Sequence, residues 1–383
     1  MKFPTVLQQK INFRKESNAL RNLNNSNASI DFSSNDYLGF AKNETIFDDT
    51  HLLLQDINLK INGATGSRLI SGNHELYIET ETYIANFHQT EAALIFNSGY
   101  DANIGFFSSV PQRNDIILYD ELCHASIRDG IVMSLAKSFK FSHNDAEDLE
   151  SKIIDLKFKY PNAEFYVVTE SVFSMDGDCP NIEELVTISK NYQVRLVIDE
   201  AHALGVFGDY GEGFVQYLQL QDSFFARLVT FGKGLGCHGA AILGSKELKE
   251  YLVNFARSFI YTTGLPPHAV ATILTAYKTL KQGQFAIQKL KENIVFFNQE
   301  KLLIGVSPIF VKSKSAIQSA IIRGNSNVKQ IASQLQKEEF NVKAILSPTV
   351  PEGQERLRFC LHSYNTKEEI SAVLKTLSQL IFQ

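Results

Sequence analysis

The chain has 383 residues, 44% hydrophobic and 21% charged, enough for one large domain with a sizeable core and a smaller companion. A formal net charge of −5 argues against nucleic acid or an anionic membrane as the main partner. Four cysteines (Cys123, Cys179, Cys237, Cys360) and nine histidines show neither C-x-x-C pairing nor metal-ligand spacing, so reduced thiols in a cytoplasmic protein are expected, with no structural metal.

The first residues, MKFPTVLQQK, lack a signal-peptide core, and the longest apolar runs are strand-sized. Over 3–23, Phe3, Val6, Leu7 and Ile11 fall at helical spacing, and Lys10, Arg14, Lys15 and Arg21 read as a solvated face. NLNNSNAS is a turn-rich linker. IDFSSNDYLGF, with Asn35 among its polar residues, is either a turn or a loop capping a pocket. A glycine-rich stretch from Gly63 to Asn73 precedes a helix over 76–88. A strand over 93–96 then runs through Ser98-Gly99-Tyr100 into a helix near Ala102. Strand, small residues and helix N-terminus form the arrangement that binds phosphate through backbone N–H groups, with an ordinary strand-helix turn as the alternative.

From Asp115 onward apolar strands alternate with helices. DIILYD is a strand and 125–135 a helix; Asn144 with Glu147 is a capping pair opening the next helix. EFYVVTES is a strand, 182–191 a helix, and VRLVIDE and RLVTF are strands. This alternation predicts an α/β fold with a mostly parallel sheet covered on both faces. Ligands of such sheets gather beyond the carboxyl ends of the strands, where His124, Ser174, Asp199, His202, Thr230 and Lys233 all fall. A helix-rich region over 267–299 leads to a small C-terminal α+β unit, with strands over 316–322, 340–346 and 356–361 and helices over 328–335 and 368–381. The expected division is an N-terminal arm and capping segment (1–45), a large α/β domain (46–285) and a small domain (286–383).

RLVTFGKGLGCHGAAIL, from Arg227 to Leu243, places Lys233 in a glycine-dense turn at the end of a buried strand. A P-loop fails there, because Gly234 rather than Ser or Thr follows the lysine. Gly234 to Gly239 spells G-x-G-x-x-G, but a strand-like run follows instead of the helix a dinucleotide fingerprint opens. The remaining reading is a lysine that forms an imine with a carbonyl cofactor. Asp199 closes VRLVID, where a shielded carboxylate can pair with a protonated ring nitrogen; a helix N-cap is the alternative. His202, three residues on, can donate to an adjacent oxygen. Asp-Glu-Ala-His also spells a helicase box, which the missing P-loop and the net charge oppose. Lysine, carboxylate and phosphate-binding turn together describe a pyridoxal 5'-phosphate site, with Thr230 beside the phosphate and His124 able to stack on the ring, or simply to cap a helix.

FSSNDYLG, TGSRLISGN, NSGYDAN, DELCHASIRDG, ESVFSMDGD, DEAHALGVFG, TFGKGLG, FIYTTGLPP and TVPEGQERLRF occur in that order over nearly the whole chain. By these motifs the chain resembles the α-oxoamine synthases, fold-type I pyridoxal phosphate transferases with a large sheet domain and a small C-terminal α+β domain. The resemblance implies Lys233 as the Schiff-base lysine and general base, Asp199 as the partner of the pyridine nitrogen, His202 at the phenolic oxygen and His124 stacked on the ring. It implies Gly99, Tyr100, Ser174 and Thr230 as further cofactor contacts. Thr262 and Thr263 resemble the segment that reaches the phosphate of a neighbouring subunit, implying a homodimer with shared sites. Arg21, Asn35, His124, Thr349 and Arg358 are the implied substrate contacts, Arg358 as a carboxylate partner. The implied activity is decarboxylative condensation of an amino acid with an acyl thioester. The likeness is strongest to the biotin-pathway branch, which takes L-alanine and pimeloyl-CoA or a pimeloyl-carrier protein. Branches that use glycine with an acetyl thioester, or serine with a palmitoyl thioester, are the alternatives. Tyr77, Gly234 and the HSYNT tail depart from frequent family patterns.

Overall fold

The computed structural model describes residues 1–21, 23 and 29–382; most of the expected linker, NLNNSNAS, lies outside the described residues. The chain divides into two compact units. The smaller comprises Met1–Ser34, Met175–Asp178 and Lys289–Gln383, and the larger Asn35–Ser174 with Cys179–Gln288.

The smaller unit opens with α1 (Thr5–Glu16) and the two-residue strand β1 (Ile30–Asp31). The helix expected over 3–23 stops at Glu16, where Asn18 takes a left-handed conformation at φ 51°. None of α1's residues is buried.

In the larger unit, α2 (Glu44–Asp56) and α3 (Glu75–Phe87) precede seven strands: β2 (Ala92–Phe96), β3 (Ile116–Asp120), β4 (Lys137–Phe141), β5 (Phe165–Glu170), β6 (Arg195–Asp199), β7 (Ala226–Thr230) and β8 (Ala240–Gly244). They form one sheet in the order β2-β8-β7-β6-β5-β3-β4. Pairings from β4 across to β7 are parallel, while β8 runs antiparallel to both β7 and β2. The reversal follows from the short Phe231–Gly239 turn, because parallel neighbours need a crossover of about a dozen residues or more. Helices α4 (Gly99–Ser109), α5 (Ala125–Met133), α6 (Ala146–Lys159) and α7 (Ile182–Tyr192) supply such crossovers.

Alternation along each strand feeds two cores. Ile117, Val168, Val197 and Leu228 join Phe106 and Ile127 in one, and Ile116, Leu118, Val167 and Ile198 join Ile153 and Leu185 in the other. Strand β4 escapes sequence reading because it lies at the sheet edge, with Lys137 and Lys140 exposed, a pattern that discourages edge-to-edge pairing. The capping pair expected at Asn144 and Glu147 is corrected. Asn144 is left-handed at φ 53°, and Asp145 caps α6 by accepting from the backbone N–H of Asp148. Among the described residues no helix is long and apolar enough to cross a membrane.

The remainder of the smaller unit contains β9 (Ile317–Ile321), β10 (Phe340–Asn341), β11 (Lys343–Ile345) and β12 (Arg356–Cys360), the last three-stranded sheet running β11-β12-β9. One strand was expected over 340–346, but it is broken at Val342 into β10 and β11. β10 pairs in parallel with β1, so residues 1–34 belong to this unit rather than forming a separate arm through residue 45. Phe359 is fully buried, its ring tilted against Phe297 and Phe310 and edge-on to Phe32. Phe359→Ala should cost about 3–5 kcal/mol, seen as an earlier unfolding transition in denaturant melts.

Candidate active site

The carboxyl ends of the parallel strands and the β7–β8 turn gather a set of polar side chains. The amine of Lys233 lies 2.8 Å from Nε2 of the buried His202. Nδ1 of His202 lies 2.6 Å from the hydroxyl of Tyr37, which donates to Oδ1 of Asn35 at 3.3 Å. The His202 ring thus bridges Tyr37 and Lys233, presenting one ring nitrogen to each.

A second chain of bonds surrounds Asp199. Its Oδ2 accepts from the amide of Asn103 at 2.8 Å, and its Oδ1 from the backbone N–H of Ala201 at 2.9 Å. The same Asn103 amide donates to Ser126 at 3.0 Å, and the Ser126 hydroxyl lies 2.8 Å from Nδ1 of His124. His124 is the N-cap of α5, the capping alternative offered for it, and its ring also meets Ser126 of this cluster. It keeps an exposed surface, yet burial of its ring holds its pKa below the usual value; nearby Lys233 acts in the same direction and Asp199 in the opposite one.

Beside these groups β2 runs through Asn97 and Ser98 into α4. Ser98 caps α4, accepting from the backbone N–H of Asp101. A Cβ added at Gly99 would fall 2.5 Å from Oγ1 of Thr230, so only glycine lets the helix N-terminus close on that hydroxyl. The first turn of α4, where helical N–H groups lack a preceding carbonyl, therefore lies against the Thr230 hydroxyl, an arrangement suited to an anion. Gly234 is explained in the same way: a Cβ there would meet the carbonyl oxygen of Leu204 at 2.3 Å, so this turn excludes the alanine frequent in the family. Tyr77 is fully buried beneath the Arg68 guanidinium, 3.8 Å from its ring, and is part of the packing.

A model of the family described as aminotransferase class I and II matches residues 28–377. The chain belongs to this family. Within it, the chain is 40% identical over 373 residues to the 8-amino-7-oxononanoate synthase of Emericella nidulans, covering 92% of this chain and 89% of that relative. Among solved structures, serine palmitoyltransferase of Sphingomonas wittichii superposes with a TM-score of 0.90 at 25% identity, over 99% of this chain and 98% of that one. The 8-amino-7-oxononanoate synthase of Francisella tularensis superposes with a TM-score of 0.77 at 28% identity, over 91% of this chain and 97% of that one. These relatives are α-oxoamine synthases, as the motif order implies, and the fold is the fold-type I architecture.

Of the residues expected from sequence, Lys233, His202, Asp199, His124, Gly99, Thr230 and Asn35 take part in the linked features above. Tyr100 is exposed on the first turn of α4, its hydroxyl donating to Asp129 at 2.5 Å. Ser174 lies beyond the end of β5 and is half-buried. Thr262 and Thr263 are held by the amide of Asn97, which donates to the Thr262 hydroxyl at 3.2 Å and to the Thr263 carbonyl at 2.7 Å. Arg21, Thr349 and Arg358 belong to the smaller unit, where Arg21 donates to the Thr349 hydroxyl at 3.1 Å and Arg358 is buried on β12. Sequence reading assigned no role to Tyr37, Asn103, Ser126 or Glu170. Asn103 carried a usable signal, since it follows Gly99 by one helical turn and shares its face.

Proposed function

We propose that the chain is a pyridoxal phosphate-dependent acyltransferase that condenses L-alanine with a pimeloyl thioester to 8-amino-7-oxononanoate in biotin synthesis. The carrying observation is the Lys233 amine at 2.8 Å from His202, at the edge of the sheet that also presents Asp199. The fit to the cofactor rests on the residues present. The Gly99–Thr230 cradle suits a phosphate, the buried Asp199 suits a protonated ring nitrogen, and the amine suits a carbonyl. When bound, the cofactor supplies an electron sink for the substrate's α-carbon.

The protein's own part is binding and proton transfer. Asp199 would keep the ring nitrogen charged, His202 would contact the phenolic oxygen, and His124 would stack on the ring. Gly99, Tyr100, Ser174 and Thr230 complete the cofactor site. Lys233 takes the α-proton of the amino acid and returns a proton at the end. In balance, a carbon–carbon bond forms to the thioester carbonyl, the thiol leaves, and the amino acid's carboxylate departs as carbon dioxide. Arg358 serves as partner of the amino-acid carboxylate, and Arg21, Asn35 and Thr349 as further substrate contacts. Coenzyme A and a carrier protein are both competent thiols.

The working form is a cytoplasmic homodimer in which Thr262 and Thr263 serve the neighbouring subunit's phosphate. The strongly exposed Ile70 and Tyr261, in the same family segments, support a covered surface there. A second reading, condensation of serine with a palmitoyl thioester, is favoured by the 0.90 TM-score to serine palmitoyltransferase. Thiol release measured across alanine, glycine and serine with pimeloyl, acetyl and palmitoyl thioesters separates them. Alanine with the pimeloyl thioester is expected to be fastest; serine with palmitoyl, or glycine with acetyl, in first place would replace this assignment.

A further inference from the structure

Glu170 ends β5 directly in register with Asp199 on β6, so two carboxyl groups sit side by side at the strand ends, both buried. Their hydrogen bonding is unequal. Asp199 accepts from the Asn103 amide and the Ala201 backbone, whereas Glu170 accepts from the backbone N–H of His124 at the head of α5. Two adjacent buried carboxyls cannot both ionise without a large electrostatic cost, and the charge settles where more donors meet it. Other charged or titratable groups act on Glu170 from the surrounding elements: Asp120 from β3 and Lys233 from the β7–β8 turn, while the fully buried thiol of Cys123 is pushed upward partly by Glu170 itself.

We propose that Glu170 is a positioning residue of this site: as the uncharged acid it anchors the backbone of His124 and leaves the pair's single negative charge on Asp199. The proposal rests on the reading of Asp199 as the ring-nitrogen partner only for its consequence in catalysis; the shared charge itself is a property of the protein. Burial, and then the neighbouring Asp199, raise Glu170 from its ordinary 4.5 to about 8, against the opposing pull of the His124 N–H and Lys233. A raised carboxyl stabilises the fold most below its unfolded pKa, and that contribution is lost as pH rises toward 8. Glutamine keeps the acceptor for His124 and cannot ionise. Glu170→Gln should therefore match wild type at low pH and gain in melting temperature relative to it as pH rises.

The test is infrared difference spectroscopy of the holoenzyme against Glu170→Gln, with a pH titration of wild type. A protonated-carboxyl C=O band present at neutral pH, absent from the variant and fading in wild type through mildly alkaline pH, is the expected result. Absence of that band from wild type at neutral pH overturns the proposal, and it needs no variant to fold. Kinetics supply the positioning arm. Glu170→Ala, which leaves the His124 N–H without its acceptor, should lose about tenfold in kcat/KM, with Glu170→Gln restoring most of it. Equal losses in both variants would also overturn it. The spectroscopic arm stands whichever amino acid and thioester the enzyme takes, so its failure is distinguishable from failure of the substrate assignment.

Discussion

Lys233→Ala should abolish turnover, by at least 10²–10⁴-fold on the order of a lost general base, while leaving the fold intact. Lys233 lies in a turn between two glycines and is only half-buried, so shortening it removes no core packing. His202 keeps its bond to Tyr37, which preserves the remainder of the network. The loss should fall on kcat rather than on KM, because the amine acts on a proton that is transferred after the substrate is bound. Thiol release in single- and multiple-turnover assays checks the rate, and circular dichroism with a thermal melt checks the fold. Borohydride treatment followed by peptide mapping should fix the cofactor to the Lys233 peptide in wild type and to no peptide in the variant. Substantial turnover by a folded Lys233→Ala protein would refute the mechanism.

Asp199→Asn is the second large effect expected, a loss of about 10²–10³-fold in kcat at saturating cofactor, the scale of removing one preorganised electrostatic group. The substitution keeps the size of the side chain but removes its negative charge. It also leaves the Asn103 amide, now 2.8 Å from a carboxylate oxygen, with an uncharged partner. With Glu170 in register beside it, the site would retain a carboxyl group able to take up the charge at higher pH. The Asp199→Asn protein should therefore regain part of its activity on the alkaline side, where wild type gains nothing. A rate profile across pH, together with a cofactor-binding titration, decides this. Activity close to wild type at all pH values would remove Asp199 from its assigned role.

These two residues were legible in the sequence because their signals are local. Lys233 is a charge placed amid glycines at the end of an apolar strand, and Asp199 is a carboxylate that closes another. Strands buried on both faces announce themselves as continuous apolar runs, which is why β5, β6 and β7 were predicted almost to the residue. The edge strand β4 gave no such signal, since half of its surface faces water and carries lysines. The partners of Asp199, and of the His202 that Lys233 meets, were invisible for a different reason. Tyr37 meets His202 across 165 positions of sequence, and Asn103 meets Asp199 across 96. Neither spacing follows any helical or strand period.

The sequence by itself thus determined the α/β class, the alternation that sends polar residues to the strand ends, the motif order and the placing of a lysine in the glycine-dense turn after a buried strand. All of these depend on neighbours within a few positions, or on whole motifs. Tertiary structure alone decided that His202 bridges Tyr37 and Lys233, since Tyr37 comes from a distant part of the chain. It alone decided that Glu170 and Asp199 stand in register, since strand register is fixed by packing of the whole sheet. It also decided that residues 1–34 belong with the C-terminal segment, because β1 and β10 complete each other's backbone hydrogen bonding over a distance no local pattern encodes.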